Sequence, residues 1–186
     1  MVADPAVSPI SVEDYLALEA ASEIKHEFVN GYVYAMSGGT IDHDLMANNV
    51  RAIIDAHLGD GPCLVLGPDV RLRVSPTIYY FPDAVVTCTP LSGTDVEVIA
   101  PRLIVEVLSD STEANDRGDK FANYQTLATF EEYLLVNSRR RAVERFRRSD
   151  RELWLYQRYD AGATVTLETL GLSCPVALFY RRTTVQ

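Results

Sequence analysis

Long apolar segments are missing from this 186-residue sequence, which contains no stretch long enough to span a membrane as a helix. Cysteine is also scarce: the three residues are widely spaced and form no CxxC pair, which argues against a zinc knuckle and favours reduced thiols. The N-terminal segment has neither the basic start nor the apolar core of a secretory signal. These absences predict a cytoplasmic protein with no membrane partner.

What is present is an ordinary globular composition, with 47% hydrophobic and 23% charged residues. No repeat or long linker is visible, so we expect residues 1–186 to form a single domain. The net charge of −9 argues against a protein that coats nucleic acid with its whole surface. Residues 1–138 contain seven basic and 21 acidic residues, whereas residues 139–186 contain ten and five, which allows a local basic face.

Local signals in the first third of the chain predict two helices with a hairpin between them. Ser11 starts a capping-box pattern and predicts the beginning of a short helix. The Asn30-Gly31 pair, between two apolar segments, is the strongest short signal for a β-hairpin. Thr40 can cap a second, longer helix.

Strand patterns dominate the rest of the chain, with one helix interrupting them. The segments rich in β-branched and aromatic residues are 64–66, 70–74, 79–88, 103–108, 133–136, 142–148, 153–159 and 164–170. A helix is predicted over 117–127 with Asp116 as its N-cap, and a short one over 175–180. This order predicts an α/β fold, bordering on α+β, with a mixed sheet flanked by helices.

The most informative residue is Glu106, inside the predicted strand 103–108. Both faces of that strand are apolar, which is typical of a covered central strand, and alternation puts Glu106 on the face of Ile104 and Leu108. A carboxylate there costs on the order of several kcal/mol unless it is paired, protonated or bound to a metal. An arginine partner or a solvent-exposed strand end is an equally simple interpretation.

Asp83 and Lys120 are two further candidates. Asp83 follows Pro82, which lacks an N–H and suits a strand start or a bulge that directs a side chain toward a site. A turn aspartate is the plainer alternative. Lys25 and Lys120 are the only lysines beside fifteen arginines, and Lys120 falls in the early turns of its helix, where the dipole disfavours a cation. An exposed ion pair with Asp116 is the plainer alternative there.

Together, Asp83, Glu106 and Lys120 form a minimal apparatus for phosphodiester hydrolysis. Two carboxylates on apolar strands can supply hard oxygen ligands to Mg²⁺ (or Mn²⁺), and the carbonyl of Leu108 could add a neutral oxygen. An ammonium group can orient water and stabilise negative charge on a phosphate. The metal would polarise the phosphoryl oxygen and lower the pKa of a bound water.

The order of these residues, with a proline before Asp83, resembles the PD-(D/E)xK nuclease superfamily. The stretch LIVEVLSDSTEANDRGDKFANY, followed by EYLLVNSRRRAVERFRR, is similar to a branch of small restriction-endonuclease-like bacterial proteins. The resemblance implies a mixed sheet with helices on both sides, Asp83 and Glu106 as metal ligands and Lys120 as the catalytic lysine. The sequence departs from the usual pattern at Leu108, where the superfamily has a lysine on the strand. Lys120 on the following helix would take the role of that lysine.

Two residues nearer the N-terminus also match this branch. Glu27 corresponds to an acidic position before the hairpin, and the resemblance implies that it can complete the metal shell. A solvated charge is an equally simple interpretation. His43, near the start of the second helix, could contact phosphate or water, or could help to cap that helix.

An arginine-rich segment offers a candidate nucleic-acid contact, with seven arginines within residues 139–151. In a strand, Arg145 and Arg147 share one face, and with Arg139 they could form a ridge that contacts phosphates. A solvent-facing hairpin with internal ion pairs is the more common arrangement. The aromatic residues that follow could stack on bases, although such residues usually pack or form a dimer face.

The sequence therefore predicts a Mg²⁺-dependent phosphodiester hydrolase that acts on DNA, with Asp83, Glu106, Lys120 and Glu27 as catalytic residues. Because the first 138 residues are acidic and repel a polyanion, DNA binding would depend on the metal, the arginine-rich segment or a homodimer. Two other classes stay open. One is a catalytically inactive scaffold that keeps the nuclease-like fold, and the other is a sugar hydrolase that uses two carboxylates as acid and base.

Overall fold

The computed structural model describes residues 8–36, 38–151 and 153–186 of the chain. Most of the N-terminal stretch that bears on a secretory signal, residues 1–7, lies outside the described residues. In the parts that are described, no helix combines the length and the apolar character needed to cross a membrane.

Helices, strands and one short 3-10 turn make up the described chain. In chain order they are α1 (Val12–Ala21), β1 (His26–Val29), β2 (Tyr32–Ala35), α2 (Ile41–Leu58), β3 (Leu64–Leu66), β4 (Arg71–Ser75), β5 (Ile78–Tyr80), β6 (Ala84–Thr87), β7 (Glu97–Val98), β8 (Leu103–Val107), α3 (Glu113–Arg117), α4 (Asp119–Tyr124), β9 (Glu132–Val136), β10 (Ala142–Arg148), β11 (Trp154–Asp160), β12 (Thr164–Leu167), β13 (Leu172–Pro175) and the 3-10 turn (Val176–Leu178).

The predicted helix caps and hairpin are confirmed. The side chain of Ser11 accepts a hydrogen bond at the start of α1, and Thr40 does the same at the start of α2. Asn30 and Gly31 both have positive φ between β1 and β2, as a two-residue hairpin turn requires. A Cβ at Gly31 would lie 2.6 Å from Pro9 Cβ, so glycine is also needed there for space.

The strands form a mixed α/β arrangement, which confirms the predicted fold class. A six-stranded sheet has the order β11-β10-β9-β8-β6-β3, in which β8 and β9 are parallel and the other pairs antiparallel. A five-stranded sheet has the order β2-β1-β5-β4-β7, and β12 pairs with β13. The hairpin of β1 and β2 therefore belongs to a different sheet from β8.

The predicted central strand is buried along its whole length as β8. Its odd-numbered residues share a core cluster with Met46 and Val50 of α2. Ile104 and Leu108 join a second cluster on the opposite face, with Tyr124 of α4. Helices thus cover both faces of the large sheet, and the predicted alternation of side chains is confirmed.

Two predicted elements are each divided in the structure. The strand predicted over 79–88 separates into β5 and β6, because Pro82 cannot donate to a ladder and the chain leaves the sheet there. The helix predicted over 117–127 is two short helices that meet at Gly118. The prediction of Asp116 as an N-cap is therefore wrong, since it lies inside α3. The strands β7 and β13 were not predicted.

The prediction of reduced thiols is wrong for two of the three cysteines. Cys63 and Cys88 are joined by a disulfide, while Cys174 is free and buried. The reason is the register of β3 and β6, which pairs Leu64 with Thr87 and therefore brings the next residues opposite one another. Because disulfides persist mainly in oxidising compartments, reduced thiols no longer support the predicted cytoplasmic location.

We expect one reactive thiol per chain when the protein is unfolded in denaturant without reductant, and three after reduction. The measurement is a colorimetric thiol titration of the two samples. The variant Cys174→Ala is the control, and it should show no thiol before reduction and two afterwards. Three thiols in the unreduced wild-type protein would contradict the bond between Cys63 and Cys88.

Candidate active site

Lys120 lies at the centre of a buried cluster of acidic side chains. Its Nζ is 2.8 Å from Glu27 Oε1, 3.1 Å from Glu106 Oε1 and 3.4 Å from Asp116 Oδ1. The bond to Glu106 has hydrogen-bond geometry. Among the described residues, Glu27 Oε1 and Asp116 Oδ1 have no hydrogen-bond partner, so their contact with Lys120 is an ion pair only. The structure therefore brings together three of the four predicted catalytic residues.

Each member of this cluster comes from a different element. Glu27 lies on β1 of the small sheet and Glu106 on β8 of the large one, while Asp116 and Lys120 lie on α3 and α4. The break at Gly118 fits glycine, since a Cβ there would lie 3.0 Å from the Ala114 carbonyl oxygen. Lys120 thus forms ion pairs with a carboxylate of each sheet, Glu27 of the small one and Glu106 of the large one. Neither sheet supplies all the residues of the cluster.

Tyrosine side chains enclose the cluster from the apolar side. The Tyr124 hydroxyl donates to Glu106 Oε1 at 2.9 Å, and the Tyr133 hydroxyl donates to the Asp116 carbonyl oxygen at 3.1 Å. Lys120 Nζ is 5.3 Å from the centre of the Tyr80 ring, a cation–π distance. These contacts exclude bulk water from the ammonium group and fix the orientation of the Glu106 carboxylate.

Asp83 reaches the same strand end from the other side. It immediately precedes β6, and the pairing of Ala84 with Val105 places it next to Glu106 across the strands. Its Oδ2 accepts a 2.7 Å hydrogen bond from the Val107 backbone N–H. This bond holds the carboxylate at the carboxyl end of β8, directly beside the predicted acidic partner.

His43 closes this side of the site from the start of α2. Its Nε2 lies 3.0 Å from the Val107 carbonyl oxygen and 3.5 Å from Asp83 Oδ2. The side chains of His43 and Asp83 are 21% and 16% exposed, against 6% for Lys120. The site is therefore open to solvent on the side of Asp83 and His43.

Burial dominates the electrostatics of the two strand carboxyls. It raises the pKa of Glu106 well above its usual range, and the neighbouring carboxylates add to that shift against the opposing effect of Lys120. Burial also raises the pKa of Asp83, although His43 and the Val107 N–H act in the other direction. For Lys120, burial acts to lower the pKa, but the surrounding carboxylates outweigh it, so the pKa is raised well above its usual range and the group stays charged.

A magnesium ion at this site would have few protein ligands. Glu27, Glu106 and Asp116 are buried around Lys120, and the half-buried Asp83 lies next to Glu106, so the site contains four acidic groups and one ammonium. Fully ionised, they carry excess negative charge that a divalent cation would offset. No three His, Cys, Asp or Glu side chains within the described ranges are arranged to hold a metal by themselves. Water and main-chain oxygens would complete the shell, as Mg²⁺ commonly accepts.

Asp116 and Tyr124 are the site residues that sequence reasoning missed. The sequence interpretation paired Asp116 with Lys120 at the surface, but the Asp116 side chain is 2% exposed and its partner is buried with it. The signal was the spacing, because residues 116, 120 and 124 follow one another at intervals of four, as on one face of a helix. That spacing does not tell whether the face is buried.

The proposed arginine ridge does not form one surface. Arg145 is buried, with Nη1 3.6 Å from Glu132 and 3.4 Å from Glu168, and Arg147 also pairs with Glu168. Arg139 is separate, 61% exposed, and pairs with acidic residues just before and within α3. The structure thus brings neither Arg145 nor Arg147 to a free phosphate-binding position.

The main-chain oxygen near Asp83 and His43 belongs to Val107 rather than to Leu108. The Leu108 side chain is buried in the second core cluster, and its N–H donates to the Val136 carbonyl oxygen. Val107 uses both backbone groups in the site, its N–H toward Asp83 and its carbonyl toward His43. A ligand role for the Leu108 carbonyl stays a prediction.

Comparisons with known proteins concern the chain as a whole. A family profile described as "Uma2: Putative restriction endonuclease" matches residues 12–177. The uncharacterized protein slr1290 of Synechocystis sp. is 36% identical over 174 residues, which is 92% of this chain and 92% of that protein. A second Synechocystis protein, sll1609, is 29% identical over 150 residues, 78% of this chain and 85% of its own length.

A solved structure shares the fold. The crystal structure of a putative nuclease belonging to DUF820 from Anabaena variabilis superposes with a TM-score of 0.76. The match covers 92% of this chain and 98% of that one, at 14% sequence identity. The family match and the shared fold confirm the restriction-endonuclease-like assignment made from the sequence.

Proposed function

The chain belongs to the Uma2 family, described as putative restriction endonucleases, and on that premise we propose that it is a Mg²⁺- or Mn²⁺-dependent DNA endonuclease. Family and fold point to a nuclease. The metal, the DNA substrate and the roles of individual residues belong to the proposal. So does a homodimeric state. The cytoplasmic location predicted from the sequence is not part of the proposal, because the bond between Cys63 and Cys88 is typical of oxidising compartments.

One observation carries this proposal: two carboxylates and one ammonium meet at the carboxyl end of β8. Asp83 is bonded to the backbone N–H that follows Glu106, and Lys120 is bonded to Glu106 itself. An acid–base pair acting on a sugar would not need the lysine. The juxtaposition of a charged lysine with two carboxyls therefore supports phosphodiester chemistry over glycoside hydrolysis.

Each residue has a distinct proposed role. Asp83 and Glu106 would hold the metal, with Glu27 completing the charge around it and a main-chain oxygen as a neutral donor. When bound, the ion would polarise a phosphoryl oxygen and lower the pKa of a bound water. Lys120, kept charged by the carboxylates, would orient the water and stabilise negative charge that develops on the phosphate.

DNA would approach from the side of Asp83 and His43, where the site is open. His43 can donate a hydrogen bond to a phosphate there if it releases the Val107 carbonyl. Arg139, the exposed member of the predicted ridge, is the remaining arginine candidate for a phosphate contact. The salt dependence of DNA binding grows with the number of cationic groups that contact phosphates. Because the candidates here are His43 and Arg139 on a chain with a net charge of −9, we expect the affinity to depend only weakly on salt concentration.

Nicking of supercoiled plasmid tests the proposal. We expect wild-type protein to nick the plasmid with Mg²⁺ or Mn²⁺ and to stop when a chelator is added. Asp83→Asn should lower the rate at least about 100-fold, because the metal loses a charged ligand while the side chain keeps its size. Asp69→Asn is the matched control, since Asp69 is exposed and pairs with Lys25 at the surface.

The outcomes separate the alternatives left by the sequence. Cleavage that survives in both Asp83→Asn and Lys120→Met would come from a contaminating nuclease, whereas cleavage that survives in Asp83→Asn alone would refute the role of Asp83 as a metal ligand. Folded wild-type protein that cuts neither DNA nor RNA with any divalent ion would identify an inactive scaffold.

A further inference from the structure

The outer edge of the large sheet is a long strand that contains neither a proline nor a bulge, and its two charged residues, Arg158 and Asp160, pair with each other. β11 pairs with β10 along all seven of its residues, in continuous register and without a bulge. It is the last strand of the sheet order, and no strand of the described chain pairs with its other edge. Leu155 and Tyr156 are 45% and 55% exposed on it. Natural edge strands usually carry a proline, a bulge or several charges that prevent further pairing.

The hydrogen bonds of the sheet fix which backbone groups point outward. Asn137 N–H donates to Ala142, and Arg148 N–H donates to Glu131, so the even-numbered residues of β10 face β9. The odd-numbered ones therefore face β11, in agreement with the bond from Ser149 N–H to the Leu153 carbonyl. On β11, the free N–H and C=O groups then belong to the even-numbered residues 154, 156, 158 and 160.

We propose that β11 pairs with β11 of a second copy of this chain, antiparallel, about a two-fold axis at Gln157. In this register every outward-facing residue meets an outward-facing residue, so the ladder is complete on both strands. Shifting the axis by one residue gives registers that place Tyr156 opposite Tyr156 or Arg158 opposite Arg158. The second of these puts like charges together, which disfavours it.

Side chains complement one another in the proposed register. Tyr156 lies opposite Arg158 of the second copy, a cation–π pair. On the other face, the exposed Leu155 lies opposite Tyr159 of the second copy, whose ring is buried in its own core, so this pair brings no charge against the apolar side chain. Phe146 already packs against Tyr156 at 5.1 Å, and this aromatic layer would continue across the axis. A second copy therefore fits this edge in hydrogen bonding, charge and apolar character.

Sedimentation measurements test the pairing. We expect wild-type protein at about 100 µM to have twice the 20.7 kDa mass of the chain. Tyr156→Pro removes one outward-facing N–H from the backbone, together with the Tyr156 ring and hydroxyl, and should raise the dissociation constant at least about tenfold. Because the N–H groups that pair with β10 are untouched, the circular dichroism spectrum of the monomer should stay native. Tyr156→Phe keeps the N–H and the ring and should stay within about twofold of wild type.

A cross-linking pair tests the register itself. In a non-hydrogen-bonded antiparallel pair the Cα atoms are about 4.5 Å apart, within disulfide range. Gln157→Cys should therefore give a reducible covalent dimer on mild oxidation. Leu155→Cys should give no covalent dimer, since the two copies of residue 155 would be about 13 Å apart. A monomeric wild-type protein, or a dimer that survives Tyr156→Pro and is not captured through Gln157→Cys, would overturn the proposal.

Discussion

Replacing Lys120 by methionine is expected to abolish plasmid nicking and to destabilise the protein by about 3–5 kcal/mol. The loss of stability has a simple cause: Glu27, Glu106 and Asp116 would be left buried without their shared counter-charge. The loss of activity follows because removal of one positioned charge donor typically costs about 100- to 1,000-fold in rate. Denaturant unfolding and the nicking assay measure the two effects separately.

The chain provides its own control for this experiment, since it contains only one other lysine. Lys25 pairs with Asp69 at the surface, and Lys25→Met should change the free energy of unfolding by no more than about 1 kcal/mol and leave nicking unchanged. The double variant Lys120→Met with Glu106→Gln removes one of the buried carboxylates that Lys120→Met leaves without a counter-charge. It should regain part of the stability but none of the activity. Normal nicking by folded Lys120→Met would refute the role of this lysine.

Replacing Glu106 by glutamine should have the opposite effect on stability while also stopping nicking. Burial raises the pKa of Glu106, so the folded protein binds this proton more tightly than the unfolded chain does. The stability that this provides is complete below the unfolded pKa of about 4.3 and is lost as the pH rises through the folded pKa. Because glutamine stays neutral, we expect the free energy of unfolding of Glu106→Gln to exceed that of wild type by about 1–3 kcal/mol at pH 8 and to equal it near pH 4.

Glu144→Gln is the matched control, because the sign is reversed there. Arg117 donates two hydrogen bonds to Glu144 and holds its pKa below the usual range. The stability from that carboxylate is present above the unfolded pKa and is lost as the pH falls through the folded pKa. Glu144→Gln should thus destabilise the protein at pH 8. If both variants were destabilised at pH 8 by the same amount, the ionised Glu106 carboxylate would not be destabilising the folded protein.

Added Mg²⁺ should distinguish wild type from Glu106→Gln in the same unfolding experiment. An ion that binds only the folded state stabilises it by mass action. We therefore expect millimolar Mg²⁺ to raise the stability of wild-type protein at pH 8 and to have less effect on Glu106→Gln. This readout does not depend on catalysis, so it tests the metal site even in an inactive protein.

Several features of the molecule were determined by short stretches of sequence. The caps at Ser11 and Thr40 and the turn at Asn30-Gly31 formed as predicted, because these preferences act within a few residues of the backbone. The face occupied by Glu106 follows from strand alternation, which has a fixed period of two. The mixed sheet with flanking helices followed from the order of elements.

Tertiary structure alone decided how the site is assembled and what the arginines do. Glu27 reaches Lys120 from a different sheet, and the Tyr133 hydroxyl of β9 donates to the Asp116 carbonyl oxygen; a local pattern encodes neither contact. One carboxylate partner of Arg145, Glu168, lies in the turn between β12 and β13, far away in the chain. The burial of Arg145 could therefore not be predicted from its own strand. The bond between Cys63 and Cys88 likewise depends on the register of two strands. Sequence periodicity gives the direction of a side chain relative to its own element, whereas its neighbours depend on contacts between elements far apart in the chain.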